Sequence, residues 1–132
     1  MVEVEVFVEA EVNPTEDEAK VRRAVDNVLG NAEVTLKPAA KGSVLVAHAK
    51  GQDSLTKLRN LMRNDRIRDA ARKLLFKKIR GDTISFFLNK QVAYAGHVSF
   101  SEETGESPLG PLRFTITTDR PTELVEWLAE KT

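Results

Sequence analysis

The first twelve positions alternate. Val2, Val4, Val6, Val8, Ala10 and Val12 fall on one side of an extended chain, and Glu3, Glu5, Phe7, Glu9 and Glu11 on the other. A period of two is the signature of a β-strand, so residues 2–12 predict a strand with one covered apolar face and one wet acidic face. Asn13-Pro14-Thr15-Glu16-Asp17-Glu18 predicts a helix start. Thr15 and Glu18 have capping-box spacing, and the acids suit the positive end of the helix dipole. Ala19, Val25, Val28 and Leu29 continue at helical spacing until Gly30-Asn31 stops the helix. Residues 32–36 and 43–49 read as two strands joined around Pro38 and Lys41-Gly42.

Residues 54–80 are helical in two phases. Leu55, Leu58, Leu61 and Met62 share one face; Ile67, Ala71, Leu74 and Ile79 share another, with Leu75 beside them. At about 100° per residue, one continuous helix would point these stripes in different directions. The pattern therefore predicts two helices broken near Arg63-Asn64-Asp65, with Asn64 or Asp65 capping the second. After Gly81 the period returns to two: Ile84, Phe86 and Leu88 alternate with Ser85, Phe87 and Asn89. Residues 95–100 and 112–118 predict further strands around a polar, Gly- and Pro-rich loop at 101–111. Arg120-Pro121 opens a last helix carrying Leu124, Val125 and Leu128, with Trp127 beside them.

This order predicts an α+β fold, a mostly antiparallel sheet with helices packed on one face. The alternative is a ferredoxin-like core with additions, which the first six elements would fit. A chain of 132 residues predicts one domain spanning 1–132. No apolar run approaches the roughly 18–20 residues that span a bilayer, and the acidic N-terminus is no signal peptide. With no cysteine there are no disulfides, thiolate metal sites or cysteine nucleophiles, and a cytoplasmic location is expected.

Charge changes the picture more than composition does. The chain has 20 basic and 20 acidic residues, but they are not mixed. Between positions 57 and 80 stand ten cations (Lys57, Arg59, Arg63, Arg66, Arg68, Arg72, Lys73, Lys77, Lys78 and Arg80) against only Asp65 and Asp69. That run is +8, so the remainder is −8. Positive charge concentrated on one element is the footprint of a polyanion binder. On the second helix Arg66, Arg72, Lys73, Lys77 and Arg80 fall opposite the apolar stripe, with Phe76 among them. In that position Phe76 either stacks on a nucleobase or packs on a neighbouring element. Lys90 and Gln91, in Asn89-Lys90-Gln91 at a strand exit, are of types that contact phosphate or base edges. The competing expectation is that the acidic first strand neutralises the basic face.

Other chemistry finds no pattern. His48 and His97 are scattered through expected strands without carboxylate spacing, so no metal site is expected. Phosphate-binding glycine loops and nucleophile elbows are absent, and no catalytic residue or cofactor is expected. The expected function is non-catalytic binding of structured RNA through phosphates. The alternative is a homodimeric interaction module that binds no nucleic acid.

Several short motifs carry a resemblance. Ser54-Leu55 leading to Leu61, then Arg66-Ile67 and Asp69-Ala70-Ala71-Arg72, form the first. Leu88-Asn89-Lys90-Gln91-Val92-Ala93 and Leu109-Gly110-Pro111-Leu112 are the others. Together they resemble a small archaeal family of uncharacterised proteins. The resemblance implies RNA binding and a fold like that of the large-subunit ribosomal protein that binds the small ribosomal RNA of that subunit. It implies no catalytic residue.

Overall fold

β1 (Val4–Val12) runs through the middle of an antiparallel sheet, with its valines and Ala10 buried and Phe7, Glu9 and Glu11 exposed on the other face. The alternation read from the sequence is the alternation the fold uses. The computed structural model describes residues 3–101 and 110–131. Residues 102–109 of the loop expected at 101–111, including Leu109 of the Leu109-Gly110-Pro111-Leu112 motif, and Val2 of the expected first strand lie outside them.

The chain continues through α1 (Glu18–Val28), β2 (Glu33–Pro38), β3 (Ser43–Lys50), a short 3-10 turn (Gln52–Leu55), α2 (Thr56–Asn64) and α3 (Arg68–Lys77). It then forms β4 (Ile79–Arg80), β5 (Thr83–Leu88), α4 (Lys90–Tyr94), β6 (Phe100–Ser101), β7 (Leu112–Thr118) and α5 (Pro121–Leu128). The strands lie in the order β2-β3-β1-β7-β5-β4, with β6 also on β5, and every pairing is antiparallel. The protein is thus α+β. Beside β1, the place of the fourth strand in a ferredoxin-like unit is filled by β7 rather than by β5, which lies one strand further out. Among the described residues, no helix is long and apolar enough to cross a membrane.

Register places the core on one side of the sheet. Val6 faces Ala49 and Ile116, and Val8 faces Ala47 and Phe114. Phe114 stacks on Phe86 at 5.0 Å between ring centroids. Onto this layer the helices bury Val21, Ala24, Val25, Leu58, Met62, Ala71, Leu75, Leu124 and Val125. A one-residue slip would expose the whole set, so burial itself fixes the register.

The break between α2 and α3 is present, one to two residues later than the apolar phases suggest. α2 ends at Asn64, and Arg66 takes a left-handed backbone with φ 57°. Neither Asn64 nor Asp65 caps α3: its N-cap is Ile67, without a side-chain bond. Three further expectations are corrected. Asp17, not Thr15, caps α1, its carboxylate accepting the Ala19 N–H. Asn89-Lys90-Gln91, expected only as a strand exit, starts the short helix α4, with the Asn89 side chain accepting the Val92 N–H. Of the strand expected at 95–100, only Phe100 belongs to a ladder, and His97 lies outside the sheet.

Candidate nucleic-acid interface

The basic run divides in two. Its first half ties helices together. Lys57 Nζ donates to the Asp26 carbonyl at 2.8 Å. The Arg59 guanidinium donates to the Trp127 carbonyl and to Glu130, and lies over the Trp127 ring. Arg63 reaches the same Glu130 at 3.8 Å. These cations join α2 to α1 and α5.

The second half is freer. α3 buries Ala71 and Leu75 against the core and turns Asp69, Ala70, Lys73 and Lys77 outward. Arg66, just before the helix, is exposed as well. Among the described residues, the side chains of Arg66, Lys73 and Lys77 have no ion-pair partner. Asp69 is the acid on this stripe and is itself engaged. Arg72 is half-buried, pairs with Glu126 of α5 at 3.3 Å and covers the Phe76 ring at 5.0 Å. Phe76 is half-buried against the core, so one side of its ring meets protein and Arg72 lies over the ring.

The acids of β1 do not neutralise α3. Glu5, Glu9 and Glu11 point to the sheet face away from the helices, where Glu5 meets His48 Nε2 at 2.6 Å. The sheet itself separates the acidic strand from the basic helix.

Arg80, expected on this face, and Lys90 and Gln91, expected as contacts at a strand exit, all lie away from it. Arg80 belongs to β4, opposite Thr83, and so joins the open sheet face, its guanidinium donating to the carbonyls of Lys77 and Ile79. There it lines a shallow cleft of about 340 Å³ with Lys78, Ser85, Phe87, Arg113, Thr115 and Glu9 of β1. Arg113 lies over the Phe87 ring at 5.5 Å. The sequence reading missed Lys78 and Arg113 as cleft residues. Strand alternation sets Arg113 outward on β7, but only the β5–β7 register brings it to Phe87, and Lys78 is the C-cap of α3, where no alternation applies.

Lys90 is the sharpest correction. Its side chain is only 4% exposed. The ammonium donates to the Glu11 carbonyl at 2.7 Å and pairs with Glu16 at 3.1 Å, so it cannot reach a phosphate. Glu16 in turn accepts from the backbone and side-chain N–H groups of Asn13. Burial pushes the Glu16 carboxyl up, but the Asn13 donors and the Lys90 ammonium outweigh it and hold the group below the ordinary value. Gln91 is exposed on α4, which packs on α1, whereas α3 packs on α2 and α5.

Asp65 replaces its expected cap with a long-range clasp. One carboxylate oxygen accepts the Val98 N–H and the other faces His97 Nδ1, both at 2.9 Å. Burial raises the carboxyl, yet these two contacts more than compensate and leave it below its ordinary 3.8. A lowered carboxyl stabilises the fold above that value and loses its contribution as pH falls below it. Asp65→Ala is therefore expected to cost about 1–2 kcal/mol at neutral pH, through the orphaned Val98 N–H and the lost His97 contact. The difference from wild type should shrink as denaturant unfolding is repeated toward about pH 3. An equal difference at both pH values would contradict this account of the clasp.

Comparison with other proteins supplies the wider setting. A family model described as RNA binding matches residues 5–118. A UPF0201 protein of Pyrobaculum neutrophilum is 46% identical over 123 residues, which covers 92% of this chain and 86% of that protein. One from Saccharolobus solfataricus is 43% identical over 129 residues, 98% of this chain and 89% of its own length. The crystal structure of a UPF0201 protein from Methanococcus jannaschii matches with a TM-score of 0.84 at 31% identity, over 95% of this chain and 98% of that one.

Proposed function

We propose, because the chain belongs to the archaeal UPF0201 family and matches the RNA-binding family model, that it grips structured RNA through phosphates on the outer face of α3. Arg66, Lys73 and Lys77 supply the charge, with Arg72 at the margin of the face. One observation carries the reading: the sheet stands between these cations and the glutamates of β1, so they are exposed rather than neutralised. Phosphate contacts of this kind position a polyanion without reading its sequence. The domain is read as a non-catalytic binder. Kinship with the large-subunit ribosomal protein that binds the small ribosomal RNA is part of the same reading, and an antiparallel sheet with helices on one face is compatible with it.

The direct test is titration of a labelled RNA hairpin by fluorescence anisotropy, first at about 25 mM salt and then at rising salt. Binding that weakens steeply with salt is expected. No binding at the lowest salt would overturn the proposal.

Phe76 has a structural role in this reading. Phe76→Ala should lower stability by about 1–2 kcal/mol, a half-buried fraction of the usual cost of removing a core ring. RNA affinity at fixed salt should be unchanged. Unchanged thermal stability with weakened binding would instead return the ring to a nucleobase.

A further inference from the structure

β2 forms one edge of the sheet, paired with β3 on one side only. Its register with β3 assigns each residue to a face. Val34 faces the buried Ala47 and Leu36 the buried Leu45, so both lie on the helix-covered side. Glu33, Thr35 and Lys37 lie on the open side, opposite His48, Val46 and Val44. Leu36 is 45% exposed, one of three large apolar side chains so exposed among the described residues. Glu33 and Lys37 are exposed, and neither has an ion-pair partner among the described residues. Four residues apart on an extended strand, they stand about 13 Å from each other and cannot pair within one chain.

We propose that β2 pairs with β2 of a second copy of this chain, antiparallel about a two-fold axis at Thr35, and so joins two sheets into one. The sequence of the edge is complementary to itself in this register. Reversed about Thr35, Glu33 of each copy meets Lys37 of the other, giving two opposite-charge pairs by symmetry. Val34 meets Leu36 twice on the other face, covering the exposed leucine. At the ends Ala32 meets Pro38, whose missing N–H falls at the last position of the ladder.

Side chains must stay on their own face, so the axis can move only by whole residues. An axis at Val34 sets Glu33 against Thr35, and one at Leu36 sets Lys37 against Thr35. Only the axis at Thr35 pairs opposite charges. A lysine on an exposed edge ordinarily repels a second strand. Here the glutamate four residues away turns that guard into a lock on the register. An isologous contact of this kind closes at two copies. A single strand pair is smaller than a standard interface, so a dissociation constant in roughly the micromolar range is expected.

The test uses sedimentation equilibrium of the full chain over a wide concentration range, in the absence of nucleic acid. Wild type should approach twice the mass of one chain. E33K brings two ammonium groups together at both symmetric positions, and K37E brings two carboxylates together. Each should weaken the dimer by about tenfold or more, since attraction becomes repulsion at two cross-strand pairs. Both positions are exposed, so circular dichroism should not change, and melting temperatures should agree at dilutions where every protein is monomeric. Mixing the two variants should restore a dimer, because each E33K chain then meets a K37E chain with opposite charges at both pairs. The double variant E33K/K37E should also dimerise like wild type. A wild type that stays monomeric to several hundred micromolar overturns the proposal. So does a dimer that ignores both reversals, because its interface then lies elsewhere. Failure of the mixture to associate, with both single variants monomeric, would likewise exclude this register.

Discussion

Lys90→Met should destabilise the protein by about 3 kcal/mol. The side chain is buried and of similar length to methionine, so packing changes little. What is lost is the ammonium that satisfies the Glu11 carbonyl and pairs with Glu16. Removing one partner of a buried ion pair leaves the other charge uncompensated, typically at about 3–5 kcal/mol. The Asn13 donors that remain on Glu16 place the expectation at the lower end. Lys90→Met with Glu16→Gln should cost clearly less than the sum of the single changes, since glutamine keeps an acceptor for Asn13 without the stranded charge. Denaturant unfolding at neutral pH measures all three. A single-variant cost for Lys90→Met well below 3 kcal/mol, nearer that of an ordinary surface change at about 0.5 kcal/mol, would show that the pair does not hold β1, the turn before α1 and α4 together. RNA binding by the folded fraction should be unaltered, because the group is inaccessible.

The second large effect concerns the outer face of α3. Changing Arg66, Lys73 and Lys77 together to Glu reverses six units of charge on one stripe. All three are exposed, and the buried contacts of Ala71 and Leu75 are untouched. The fold should survive, with a small loss from an acid in the last helical turn at Lys77, about 0.3–1 kcal/mol. Affinity for an RNA hairpin at low salt should fall by about 100-fold or more, roughly 1 kcal/mol per reversed contact. The matched control is K57E/R63E. It changes two exposed cations of the same run that serve α1 and α5, and it should affect RNA affinity much less. Equal losses from both variants would mean that net charge matters and the face does not.

Periodicity made much of this architecture legible. The strict alternation of β1 needs only its own residues, because a strand buried on one face writes that face into every second position. The α2–α3 break was equally visible, since two apolar stripes out of phase cannot share one core on a straight helix. What failed was local chemistry recruited from a distance. Asp65 reads as a cap for α3, but its carboxylate is engaged by His97 and Val98, more than thirty residues away. Glu16 lies in a plausible first helical turn, yet it serves Asn13 and Lys90 and the helix begins later. Lys90 follows a strand and carries a charge, so a solvated or phosphate-bound side chain was the natural expectation. Only the position of the Glu11 carbonyl shows that it is internal. Arg80 keeps helical phase with Lys73 and Lys77 on paper, but the chain has left the helix by Ile79 and the phase no longer applies.

The measurement that bears most directly on the central claim is the slope of log affinity against log salt for an RNA hairpin, compared between wild type and the Arg66, Lys73 and Lys77 variant. Each phosphate contact contributes about 0.7–0.9 to that slope. Loss of two or three contacts should therefore make the variant shallower by roughly 1.5–2.5, with its melting temperature close to that of wild type. Identical slopes in two equally folded proteins would contradict the assignment of this face to RNA.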